Sequence, residues 1–129
     1  WYNAQLSFDG VRMRSYFGTY TINSSENGRV RSLTHGTTMH GMQLLDEPTR
    51  PTSYYAPNSG IGKALAQTPL LFGPNANVGI VGLGTGTLAC YRKPGQTWQF
   101  FEIDPLIVEI ARVEHDDQRI GSAMALQIA

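Results

Sequence analysis

Directly after the apolar run Val78-Gly79-Ile80-Val81, the chain reads Gly82-Leu83-Gly84-Thr85-Gly86-Thr87. No other stretch restricts the possible folds as tightly. Glycines spaced in this way permit positive φ and let another group approach the backbone closely. A short, uninterrupted apolar run before them is the pattern of a strand buried on both faces. A helix-compatible stretch follows from Thr87 to Arg92. After Pro94-Gly95 comes a second strand, Trp98-Gln99-Phe100-Phe101-Glu102-Ile103. Asp104 is then a good N-cap, and Pro105 takes the first helical position, where no amide donor is required. Ile107, Ile110 and Ala111 supply an inward helix face. Strand, helix, strand, helix in this order predicts a βαβ unit with a right-handed crossover.

The first third of the chain has a different rhythm. Val11 to Arg14 and Tyr16 to Ile22 are rich in β-branched and aromatic residues, and alternation resumes at Arg29-Val30-Arg31-Ser32-Leu33. Asn27-Gly28 between these runs predicts a hairpin. Apolar residues fall on Val11 and Met13 but later on Tyr20 and Ile22, and this change of parity predicts a bulge near Ser15. Tyr16, Phe17 and Tyr20 are expected to fill a β core. Trp1 to Arg14 reads as strand-like rather than as a signal peptide. Residues 1–45 are therefore expected to form a small N-terminal antiparallel β unit, with 46–129 as a second unit.

Between the two, Asp46 to Gly60 contains Pro48, Pro51 and Pro57 and reads as a crossing loop. Asn58 or Ser59 can cap a helix with Ile61, Ala64 and Leu65 as its buried face. Pro69 limits its length.

The chain has 129 residues, enough for about one domain, with 41% hydrophobic and 16% charged residues. Ten basic residues balance ten acidic ones, so the basic stripe expected of a nucleic-acid partner is missing. No apolar run reaches the roughly 18 residues of a membrane span, so membrane insertion is not expected. Cys90 is the only cysteine, which fits a reducing, cytoplasmic setting. Trp1 at the first position suits an excised domain and a numbering choice equally.

Glu102 lies 20 positions beyond Gly82, at the end of the second strand. An acid there can accept hydrogen bonds from both hydroxyls of a ribose. Dinucleotide sites need glycine or alanine at the sixth position of the turn, where this chain has Thr87. The spacing Gly82, Gly84, Gly86 instead resembles the first motif of adenosylmethionine-dependent enzymes, whose ligand has no pyrophosphate to cradle.

Together with Phe101-Glu102-Ile103-Asp104-Pro105, the turn resembles the paired motifs of spermidine synthases and related aminopropyltransferases. The upstream stretch Arg31-Ser32-Leu33-Thr34-His35-Gly36-Thr37-Thr38-Met39-His40-Gly41-Met42-Gln43, followed by Pro51-Thr52-Ser53-Tyr54-Tyr55, is similar to the spermidine synthase-like module sometimes fused to membrane-embedded segments. The likeness runs from about Ser15 to Arg112. It implies a small N-terminal β domain ahead of a Rossmann-like adenosylmethionine-dependent-transferase domain, with a parent that can be membrane-attached. It also implies transfer of an aminopropyl group from decarboxylated adenosylmethionine to a polyamine acceptor such as putrescine. By resemblance, Gln43 would contact the nucleoside, and Gly82, Leu83, Gly84, Thr85 and Gly86 would face the sulfonium end. Glu102, with Ile103 beside it, would hold the ribose, and Tyr54 would lie over the polyamine channel. Adenosylmethionine or its decarboxylated form would act as co-substrate, with no tightly bound cofactor.

Three positions depart from the family pattern. The usual Tyr-His pair is Tyr54-Tyr55. The acid of Gly-Gly-Gly-Asp-Gly is replaced by Thr85, so contacts to the ligand's tail must differ. The acid that orients the attacking amine belongs to a later strand than this sequence reaches. Weak or absent catalysis is therefore expected of the isolated chain, and its catalytic residues stay unassigned. Two alternatives stay open: a non-catalytic binding or assembly module, and a methyltransferase on the same fold. With only two parallel strands, unpaired edges predict a homo-oligomer. The stretch Ile120 to Leu126 reads as an apolar helix or a foreign end.

His35 and His40, with His115 distant, do not have metal-site spacing. Ser53, Ser59 and Cys90 have no nucleophile-elbow context. Asp116-Asp117 reads as a solvated turn.

Overall fold

The computed structural model describes residues 10–25, 27–116 and 127–128. The readings for residues 1–9 and for Ile120 to Leu126 lie outside the described residues. Four strands, β1 (Val11–Ser15), β2 (Gly18–Ser24), β3 (Val30–His35) and β4 (Thr38–Leu44), form an antiparallel meander in sequence order. A 3-10 turn at Ser53–Tyr55 leads to two short helices, α1 (Gly60–Ala66) and α2 (Thr68–Phe72). Strand β5 (Asn77–Val81), a 3-10 turn at Thr87–Tyr91, β6 (Thr97–Phe101), helix α3 (Pro105–Asp116) and β7 (Gln127–Ile128) follow. β5, β6 and β7 form a parallel sheet in that order. The chain is thus mixed α/β, with one antiparallel and one parallel sheet.

The Asn27-Gly28 hairpin is present. Ser24 pairs with Arg31, and the Gly28 amide donates to the Ser25 carbonyl at 2.8 Å. The bulge expected near Ser15 is not. Val11 pairs with Ile22, Met13 with Tyr20 and Ser15 with Gly18, around a tight turn at Tyr16-Phe17. A two-residue turn sets odd positions of β1 opposite even positions of β2, so the change of parity is the signature of the hairpin itself. The irregularity sits instead between β3 and β4, at Leu33/Thr34. Of the three aromatics expected in the core, Tyr20 is buried, whereas Tyr16 at the turn tip is 97% exposed and Phe17 is exposed beside it.

Ser59 caps α1, its Oγ accepting from the Gly62 amide at 3.1 Å. The buried face is Gly62 and Leu65, while Ile61 and Ala64 face solvent. Gly62 packs closely on the Ala56 carbonyl and the Tyr91 hydroxyl, and this contact turns the helix away from the face expected. The stretch from Thr87 forms a single 3-10 turn rather than an α-helix. It is too short to aim a row of helical amides.

Along β5 and β6, Val78, Ile80, Trp98 and Phe100 share the inner face. Val81, 91% exposed, and Phe101 share the outer one. Burial on both faces was expected and is not observed among the described residues, because Ile107, Ile110 and Ala111 of α3 cover the inner face alone. β7 adds a third parallel strand to the two expected. Tyr20 and Leu33 of the meander belong to the same core cluster as Leu83, Trp98, Phe100 and Ile107. The two sheets therefore close on one shared apolar centre.

Candidate functional site

Val81 pairs with Phe101 at the C-terminal ends of adjacent parallel strands. That register brings the glycine turn and Glu102 side by side, at the edge where open α/β sheets hold ligands. Glu102 Oε2 accepts from the Leu83 amide at 2.8 Å, and Oε1 accepts from the Asp104 amide at 2.9 Å. Each carboxylate oxygen can accept about two hydrogen bonds, so capacity for a diol remains.

Gly82, Gly84 and Gly86 take φ of 85°, 56° and 74°, a region costly for residues with a Cβ. The turn thus needs all three glycines. Three of its amides are engaged within the protein: Gly82 donates to Phe101, Leu83 to Glu102 and Gly86 to Leu83. The amides of Gly84 and Thr85 have no protein acceptor among the described residues. Thr85 is buried, and its hydroxyl meets that of Thr87 at 2.8 Å.

The meander supplies the opposite wall. Gly41 of β4 sits so close to Thr85 that a Cβ there would stand 2.1 Å from Thr85 Oγ1. Two residues on, Gln43 lines a small open cleft with Thr85, Gly86, Thr87, Cys90 and Arg50. Among the described residues, no donor reaches the buried Gln43 Oε1. Burial pushes the Cys90 thiol up, which keeps it protonated at neutral pH. Tyr54 stands beside the turn, its hydroxyl donating to the His40 carbonyl at 2.9 Å. The same carbonyl is 3.6 Å from where a Cβ on Gly84 would lie. Ile103 points to solvent and touches none of this. The structure therefore gathers Gln43, Thr85, Gly86 and Glu102 around the turn, with Tyr54 at its flank and Ile103 outside.

Asp104 does more than cap α3. Its Oδ1 accepts from the Leu106 amide at 2.9 Å, as a cap should. Its Oδ2 accepts from Ser15 Oγ at 2.5 Å and from the Tyr20 hydroxyl at 2.8 Å, so the side chain clasps the meander to the parallel sheet. Asp104 is 2% exposed. Burial alone would raise its pKa, but the Ser15 and Tyr20 hydrogen bonds, the Leu106 amide and nearby His35 hold the carboxyl below its ordinary range. Burial, then the bond to Asp104, pushes the Tyr20 phenol up. Sequence alone marked Asp104 only as a cap. Its second role joins residues 84 and 89 positions apart, which no local pattern encodes. Gly41 and Arg50 were likewise not singled out as site residues.

Among the described residues, no group of three or more histidine, cysteine, aspartate or glutamate side chains could hold a metal ion, and no helix is long and apolar enough to cross a membrane. No protein-family model, curated protein or solved structure matches the chain.

Proposed function

We propose that this chain carries the nucleoside-binding part of a spermidine synthase-like module, on a Rossmann-like sheet, and takes adenosylmethionine or its decarboxylated form. The observation that carries this reading is the 2.8 Å bond from the Leu83 amide to Glu102. It ties the glycine turn to a strand-end carboxylate that could accept from ribose hydroxyls, and fixes that carboxylate before any ligand arrives. Gln43 adds a buried acceptor on the facing wall. In the parent protein the reaction is aminopropyl transfer to a polyamine. A sulfonium is already an activated electrophile, so the protein has mainly to hold a neutral amine in line with the carbon and take up its proton. By resemblance, Tyr54 would lie over the amine channel; its hydroxyl donates to the His40 carbonyl.

Calorimetry with 5′-methylthioadenosine tests the reading. The wild-type chain should bind it, and Glu102→Gln should lose about 1.5–3 kcal/mol, as for hydrogen bonds to a charged group. A melting curve on the variant separates lost binding from lost folding. Equal affinity in a folded variant ends the reading.

Methyl transfer is a second reading, favoured by one observation. The cleft beside the turn is lined by Thr85 and Arg50 and by no carboxylate, a lining that suits a co-substrate keeping its amino-acid end.

A further inference from the structure

Independently of the nucleoside reading, we infer that the tip of the β1–β2 hairpin docks on an anionic lipid surface, at the level of the headgroups. The chain's net neutrality conceals a partition. Residues 10–45 hold four arginines against one acid, Glu26, while the rest of the chain holds six basic residues against nine acidic ones. Strands β1 to β4 contain no acidic residue at all. Arg12 and Arg14 stand two positions apart on the edge strand β1, hence on one face of it and roughly 7 Å from each other. Both are exposed, and neither has an ion-pair partner among the described residues. Across β2 they meet only Thr21 and Thr19.

The same strand runs on into Tyr16 and Phe17, 97% and 41% exposed, their rings edge to face at 5.3 Å. The turn that carries them is fixed at its root. Ser15 Oγ accepts from the Phe17 amide at 3.1 Å and donates to the buried Asp104 carboxylate at 2.5 Å. Charge on an edge strand guards against mispairing, but that role asks nothing of the tip, where two aromatic rings stand out beyond the arginines. The combination selects the partner. Unpaired guanidiniums call for an anionic surface. A convex tip of two rings offers a protein far less than the roughly 800 Å² that each side gives to a standard interface. A lipid surface needs no matching pocket. Tyrosine and phenylalanine settle where headgroups meet acyl chains, and the arginines bind the phosphates and carboxylates around them. With so small a footprint, the contact is weak and reversible by itself.

Sedimentation with lipid vesicles at low ionic strength tests this. The wild-type chain should bind vesicles of mixed phosphatidylserine and phosphatidylcholine about ten- to thirty-fold more tightly than phosphatidylcholine alone, the scale of two arginines near an anionic surface. Arg12→Gln with Arg14→Gln should remove most of that preference, and high salt should do the same. Tyr16→Ser with Phe17→Ser should weaken binding to the mixed vesicles about ten-fold, through the lost burial of two rings. All four side chains are exposed, so melting curves of both double variants should match the wild type; single substitutions replace a pair that does not. Absence of binding at millimolar lipid overturns the inference. So does equal binding to neutral vesicles, or binding that the tip variant leaves unchanged. Binding to soluble polyglutamate or single-stranded RNA that depends on the arginines and not on the tip also overturns it, by marking a protein or nucleic-acid site. The nucleoside reading stands or falls separately, on 5′-methylthioadenosine.

Discussion

The antiparallel meander and the parallel sheet use the same kinds of residue to opposite ends. In the meander each strand pairs with its neighbour in sequence, through turns at Tyr16-Phe17, Asn27-Gly28 and Gly36-Thr37. Its alternation is local and can be read along the chain. In the parallel sheet, β5 and β6 come together only after a turn that also forms the site, and β6 and β7 only after α3. The meander contributes a wall and a clasp, and the parallel sheet contributes the edge that carries the glycine turn and Glu102. Neither is complete without the other, since Leu33 and Phe100 lie in one core cluster and Gly41 meets Thr85 across the junction.

If the two regions share a core in this way, damage to either should be felt by both. Phe100→Ala should cost about 3–5 kcal/mol and Leu33→Ala about 2–5 kcal/mol, because both side chains are fully buried. Urea unfolding of each variant, followed by Trp98 fluorescence for the parallel sheet and by far-ultraviolet dichroism for the whole, should give one coincident transition. Separate transitions would show that the two regions fold independently.

A smaller effect tests the junction. Gly41→Ala should destabilise by about 1–3 kcal/mol through overpacking against Thr85. Adding Thr85→Gly should return much of that loss, a coupling that a double-mutant cycle measures directly. Additive losses would mean that the contact is not the cause.

The clasp makes the most pH-dependent prediction. The folded-state pKa of Asp104 lies below its unfolded value. Its contribution is therefore present above the ordinary carboxylate value of about 4 and is lost as pH falls through the lowered folded value. Asp104→Asn should cost about 1–3 kcal/mol at neutral pH and flatten the acid limb of the stability curve. Tyr20 works in the other direction. Its raised pKa means that its contribution holds below about pH 10 and is lost as pH rises through the folded value. An acid limb unchanged in Asp104→Asn would remove the clasp from the account.

Much of the fold was legible because the signals were local. Asn27-Gly28 marked its hairpin, Asn58-Ser59 and Asp104 the caps, and Ile107, Ile110 and Ala111 the buried side of α3. The misreadings arose where a neighbour distant in sequence decides the outcome. The contacts of Gly62 with Ala56 and Tyr91 rotated α1, and the lack of cover on one face left Val81 exposed. At the site, the glycine turn and Glu102 were visible as a spacing, because parallel pairing of two strands of similar length aligns their ends. Ile103, taken with Glu102 from the resemblance, is 75% exposed. Side chains alternate along an extended backbone, so the neighbour of an inward residue points away.

The sequence by itself determined where strands, caps and tight turns fall, since backbone preference and alternation act over a few residues. It also determined that an acid would stand one strand away from a glycine turn. Only the tertiary structure decided that Gly41 would press on Thr85, that Arg50 and Gln43 would share a cleft, and that Asp104 would bind Ser15 and Tyr20. Those contacts depend on how two sheets meet, and that arrangement is set by the shared burial of Leu33, Tyr20 and Phe100 rather than by any pattern along the chain.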